Sequence, residues 1–171
     1  AAAHAPEPRH ETVQVGPYAV EVGFSEWPLL AERSVDITSY EMKWPYSEYA
    51  ERAGGHLEQR VHHRLERARQ MSPADYAERL AEKADMRARA RAAMGDAEGI
   101  VTLSASGPAP LGHDNTGSRT YLLFATFLGL PAFSLPLMEA EGMPLGLQLI
   151  GHAGRDDALC ALARWATTLV R

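Results

Sequence analysis

Cysteine is nearly missing from this chain: Cys160 stands alone among 171 residues, so no internal disulfide can form and a reducing, cytoplasmic setting is the natural expectation. Positive charge is scarce too. The 17 Lys and Arg against 22 Asp and Glu leave a formal net charge of -5, which argues against a general nucleic-acid binder, whose footprint is a basic excess. No run is long and apolar enough for a bilayer, since the longest, Tyr121 to Leu130, is about half of what a span needs. No signal peptide is visible in Ala1 to Arg9, which holds Pro6 and Pro8 but no apolar core, and this start looks like a cut end. Histidine spacing excludes a metal site. His62 and His63 are adjacent and diverge on a helix, while His56, His113 and His152 form no His-x-x-x-His, so no metal is expected and these read as ordinary surface histidines.

What is present suffices for one domain with a real core: 46% of the residues are hydrophobic and 23% charged. The pattern divides residues 1–171 into a helical segment over about 24–95 and a segment of strands with a final helix over about 100–171. Thr12 to Val15, with Tyr18, Val20 and Val22 beyond Gly16-Pro17, alternates like a short edge strand. Phe24 to Ala53 reads as one or two helices broken near Pro45 and ended by Gly54-Gly55. From His56 to Gln70, Leu57, Val61, Leu65 and Ala68 recur at helical spacing. Ser72-Pro73 with Asp75 then makes a capping box for a helix whose stripe is Ala77, Leu80, Ala81, Ala84 and Ala88, small side chains suited to docking on the body and not anchoring it. The arginines of both helices, interleaved with Glu58, Glu66, Glu78, Glu82 and Asp85, read as solvated, ion-paired faces. Trp27, Trp44, Tyr46 and Tyr49 are assigned to core or interface packing.

Ile100, Val101 and Leu103 form a short apolar run that reads as a buried strand, and it leads into Ser104 to Ser118, a loop of Gly, Pro, Ser, Asn and Asp without periodicity. Ser118 can cap the next helix. Leu122, Leu123, Phe124, Ala125, Phe127 and Leu128 leave that helix almost no polar face, so it is expected to be buried nearly all round. Two apolar runs, Ala132 to Leu137 and Leu145 to Ile150, flank Glu-Ala-Glu-Gly as a hairpin with a longer turn, with Phe133, Leu135 and Leu137 facing one way. Gly146 and Gly151 are expected to be small because other groups pack over them. Asp156 and Asp157 open a last helix with the stripe Leu159, Leu162, Ala163, Ala166 and Leu169.

The stretch Gly129 to Gly151, GLPAFSLPLMEAEGMPLGLQLIG, resembles the carboxyl-terminal hallmark of the amidase signature family, serine hydrolases that cleave amide carbon-nitrogen bonds. Ile100 to Pro110 and Asp156 to Val170 resemble the family's flanking strand and final helix. The resemblance implies an α/β fold, a mixed sheet covered by helices, of which this chain looks like roughly the last third. It also implies a Ser-Ser-Lys mechanism without a cofactor, in which a lysine serves as base and N–H groups of a Gly/Ser-rich loop form the oxyanion hole. That loop has no match here. The only lysines are Lys43 and Lys83, and Lys83 lies among Glu82, Asp85 and Arg87, where nothing lowers its pKa, so no catalytic residue is assigned to this chain. His113-Asp114 near Ser106 offers a histidine-based alternative, but no Gly-x-Ser-x-Gly elbow accompanies it. The resemblance further implies that Ser106, Asp114, Thr116 and Ser118, with Phe124 behind them, wall a pocket for a small amide substrate. The expected partners are a missing amino-terminal amidase portion or a second copy; a non-catalytic amidase-like domain that binds a ligand or partner is the alternative function.

Overall fold

The computed structural model describes residues 27–53 and 56–169. The strand expected at Thr12 to Val22 and the Gly54-Gly55 stop lie outside them. The described chain runs as helices α1 (Trp27–Ala53), α2 (Gln59–Gln70) and α3 (Pro73–Met94), strand β1 (Ile100–Leu103), helix α4 (Thr120–Leu128), strands β2 (Ala132–Ala140) and β3 (Met143–Ile150), and helix α5 (Asp156–Thr168). The sheet is antiparallel throughout, in the order β1-β3-β2.

The central strand has a different core on each side. Ile150 joins Leu30 and Ile37 of α1, Met86 and Ala90 of α3, and Phe124, Ala125, Phe127 and Leu128 of α4. Leu149 joins Leu159, Ala163 and Ala166 of α5, with Leu135 and Leu147 alongside. Alternation along β3 thus feeds both layers.

Several elements differ from the sequence reading. α1 runs unbroken through Pro45. A proline removes one helical hydrogen bond, and the neighbouring Trp44, 84% exposed, shows this stretch to be open to water, which can satisfy the freed carbonyl. Trp44, Tyr46 and Tyr49 are therefore exposed and do not pack in a core. The inner stripe of α3 is Tyr76, Met86, Ala90 and Met94, while Ala77, Leu80, Ala81, Ala84 and Ala88 face solvent. In a helix this rich in Ala and Arg, two stripes are equally periodic, and the larger Met side chains win the core because they bury more area. The carboxyl-terminal half of α3 is thus an anchor.

β1 is an edge strand with Val101 61% exposed, so it is not the buried strand expected. The hairpin turn is shorter than read: Glu141 and Gly142 alone form it, both with positive φ (53° and 75°), the pattern of a two-residue turn matched to strand twist. The pairing shifts between Leu135 and Met138, so two residues of β2, Pro136 and Leu137, oppose Gly146. That bulge accommodates a proline that cannot donate to the ladder, and it takes Leu137 out of the row begun by Phe133 and Leu135. α4 buries Phe124, Ala125, Phe127 and Leu128 but leaves Leu122 and Thr126 outward, one face and not the whole circumference. α5 keeps its stripe except at Leu169, which is exposed.

The capping box of α3 forms in full. Ser72 Oγ accepts the Asp75 N–H at 3.1 Å, and Asp75 Oδ2 accepts the Ser72 N–H at 2.8 Å. The Ser72 backbone N–H, then its hydroxyl, hold the Asp75 carboxyl below its ordinary value of 3.8. A carboxyl lowered by folding contributes stability above its unfolded value and loses it as pH falls through the folded one. The first turn of α3 is therefore expected to fray as pH falls below 3.8. Amide NMR shifts of Ser72 and Asp75 should show this transition, and Asp75→Asn should abolish it.

Candidate functional site

β1 delivers the chain to the start of the long loop, where the Ser104 N–H donates to Gly146 O at 2.8 Å and extends the pairing by one residue. The Ser104 hydroxyl lies 2.6 Å from the Ser134 hydroxyl of β2. Both meet over Gly146 of the strand between them: a Cβ there would fall against Ser134 Oγ and within 2.6 Å of Ser104 Oγ. Glycine is required by this contact and not by its backbone angle. The expectation that side chains pack over Gly146 is met, and Gly151 likewise lies under Leu159, whose Cβ is 3.1 Å from the position of an added Cβ.

One residue pair further along β3, Gln148 is flanked by Thr102 and Ser134. Leu147 and Leu149 face α5, so Gln148, Ser134, Ser104 and Thr102 share the other face of the sheet. Gln148 is 4% exposed and its Oε1 has no hydrogen-bond partner among the described residues. Sequence reasoning missed this cluster. Its one signal was a polar residue, Gln148, at the inward alternate of an otherwise apolar strand.

The loop itself is open. Ser106, His113, Asp114 and Thr116 are exposed, and the Asn115 side chain accepts the Gly117 N–H at 2.9 Å, a local turn that leaves Gly117 at φ 86°. Ser118 Oγ accepts the Thr120 N–H at 3.2 Å and meets Thr120 Oγ1 at 2.6 Å, so it serves the start of α4 without being its N-cap. Phe124 is 3% exposed inside the helical core. Four of the five residues assigned to a pocket wall thus lie along one exposed loop and its junction with α4, and the fifth packs beneath that helix.

Lys83 is less simply solvated than its neighbours suggest, since it is half-buried with Nζ 5.4 Å from the Phe127 ring centre. Lys43 Nζ lies 5.7 Å from the Tyr40 ring centre. Each lysine thus rests on an aromatic face. The arginines are not all on solvated faces either. Arg67 Nε (2.5 Å), Arg79 Nε (3.4 Å) and Arg33 Nη1 (3.6 Å) converge on Asp36, whose side chain is 9% exposed, and Arg33 Nε and Arg79 Nη1 reach Glu82 at 2.5 and 2.9 Å. This network joins α1, α2 and α3. Among the described residues no group of three or more His, Cys, Asp or Glu is placed to hold a metal, and no helix is long and apolar enough to cross a membrane.

The fold resembles that of a solved amidase, with a TM-score of 0.75 and 23% identity over 85% of this chain and 36% of that one. A bacterial aryl acylamidase of the amidase signature family gives a TM-score of 0.61 at 13% identity, covering 82% of this chain and 33% of that one. By sequence, a glutamyl-tRNA(Gln) amidotransferase subunit from Nitratiruptor sp. is 56% identical over 36 residues, 21% of this chain and 8% of that protein. The chain therefore spans about a third of the solved relatives' length. The family model Amidase matches residues 10–160, from ahead of α1 into α5, and the chain belongs to the amidase family.

Proposed function

We propose that this chain acts as the carboxyl-terminal portion of an amidase that hydrolyses the carbon-nitrogen bond of an amide by a Ser-Ser-Lys mechanism, the nucleophile, relaying serine and base coming from another portion. The observation that carries it is the amidase match over residues 10–160 in a chain whose two lysines both rest on aromatic rings. The loop from Ser104 to Ser118 supplies orientation. Ser106, Asp114, Thr116 and Ser118 line the substrate side of the site, with Phe124 stiffening α4 behind them, and orientation of this kind contributes to rate only when the reacting groups are present. The substrate is a small amide, and the setting is cytoplasmic.

The DNA upstream of Ala1 tests this. An in-frame Gly/Ser-rich segment preceded by a lysine is expected. A start codon near Ala1 overturns the reading in favour of a non-catalytic amidase-like binding domain.

A further inference from the structure

Helices α1 and α2 leave a groove of about 390 Å³ between them, away from the loop and the sheet. Its floor is apolar, with Met42 and Val61 half-buried and Tyr46 39% exposed. Its rim carries Glu58, Arg60 and Arg64, and Arg60 Nε lies 3.3 Å from Glu58 Oε1. Arg64 has no such partner. Among the described residues Arg33, Arg52, Arg60, Arg67 and Arg69 of the same two helices each meet a carboxylate, whereas half-buried Arg64 meets only a neutral hydroxyl. Its Nη1 donates to Thr38 Oγ1 at 3.0 Å, and Thr38 donates in turn to Ser34 O at 2.6 Å, so a relay fixes the guanidinium at the groove and leaves its other donors to be used. Arg60 and Arg64 stand one turn apart and repel each other. Glu58 offsets the first of them, which leaves the groove one surplus positive charge.

We propose that this groove binds a small aryl or alkyl monocarboxylate, its carboxylate on Arg64 and its apolar stem on Met42, Tyr46 and Val61. A guanidinium already held in place presents a planar fork that matches a carboxylate, and the floor beside it takes the stem out of water. The charge selects a monoanion, since the second charge of a phosphate ester exceeds the surplus and meets Glu58. The volume selects a small molecule, at the lower end of the range of about 300–1,000 Å³ for such sites. Thr38, Tyr46 and Arg60 are exposed at the groove, so the ligand enters without rearrangement of either helix. Nothing in this argument uses the amidase reading.

The test is an NMR titration of the ¹⁵N-labelled chain with phenylacetate. Acetate keeps the charge without the stem, 2-phenylethanol keeps the stem without the charge, and phenyl phosphate adds the second negative charge. Saturable shifts at the Val61 and Arg64 amides are expected with phenylacetate, and binding about tenfold weaker or less with each of the other three. Arg64→Gln, which keeps a donor for Thr38, should weaken phenylacetate about tenfold, the scale of one lost charge-assisted hydrogen bond. Tyr46→Ala trims an exposed part of the floor and should weaken it while leaving the charge in place, so it remains informative if the Arg64 variant does not fold. Absence of saturable shifts, undiminished binding in either variant, or any of the three control ligands binding as tightly as phenylacetate overturns the proposal. The titration needs neither turnover nor a second segment, so its failure is separate from a failure of the amidase reading.

Discussion

Replacing Asp36 by alanine is expected to destabilise the chain by about 2–3 kcal/mol, as a lowered midpoint in urea or thermal unfolding. Breaking a buried ion pair by removing one partner typically costs about 3–5 kcal/mol, because a charge is left without compensation. Here the cost is reduced. Arg33 and Arg79 keep Glu82, and Arg67, at 43% side-chain exposure, can turn to water. What remains is the loss of an acceptor that ties α1 to both α2 and α3. Asp36→Asn separates charge from shape: it keeps the volume and one acceptor oxygen, so it should lose less than alanine, and added salt should narrow the difference. An alanine variant that melts with the parent would show that the arginines do not depend on Asp36.

Gly146→Val is the second large effect, about 3 kcal/mol, at the upper end of what overpacking costs. Even a lone Cβ meets the two serine oxygens and lies 2.9 Å from Ser104 Cβ, and the two outer carbons of valine have no space on a face already closed by those side chains. Relief is the diagnostic. In a Ser104→Gly, Ser134→Ala background the obstructing atoms are gone, so Gly146→Ala should cost much less there than in the parent, a coupling expected of residues in contact. If Gly146→Ala costs the same in both backgrounds, the serines are not what excludes a side chain.

These two sites show what the sequence made legible. The hairpin, the capping box of Ser72 and Asp75, the apolar α4 and the stripe of α5 each announced themselves through a local rule, and each formed. Where the outcome depended on a partner element, local rules were insufficient. Ala77, Leu80 and Ala84 are as periodic as Tyr76, Met86 and Ala90, and only the position of α1, with Asp36 and Arg33 facing α3, selects the second set. The bulge at Pro136 and Leu137 escaped for a related reason, since strict alternation assumes one residue opposite one. Of the residues proposed to act in function, those of the exposed loop from Ser106 to Ser118 were readable from composition. The burial of Gln148 was not, because a polar residue in an apolar strand reads as solvent-facing until the flanking strands are in place.

The central claim is that this chain contributes to amide hydrolysis only in company with the part of an amidase that carries the serines and lysine. Turnover of a panel of simple amides tests it, with the chain alone and then mixed with an amino-terminal amidase segment bearing the Ser-Ser-Lys set. No turnover by the chain alone and measurable turnover on mixing is the expected result. Turnover by the chain alone that disappears in Ser106→Ala or His113→Ala would contradict it and assign the chemistry to the loop itself.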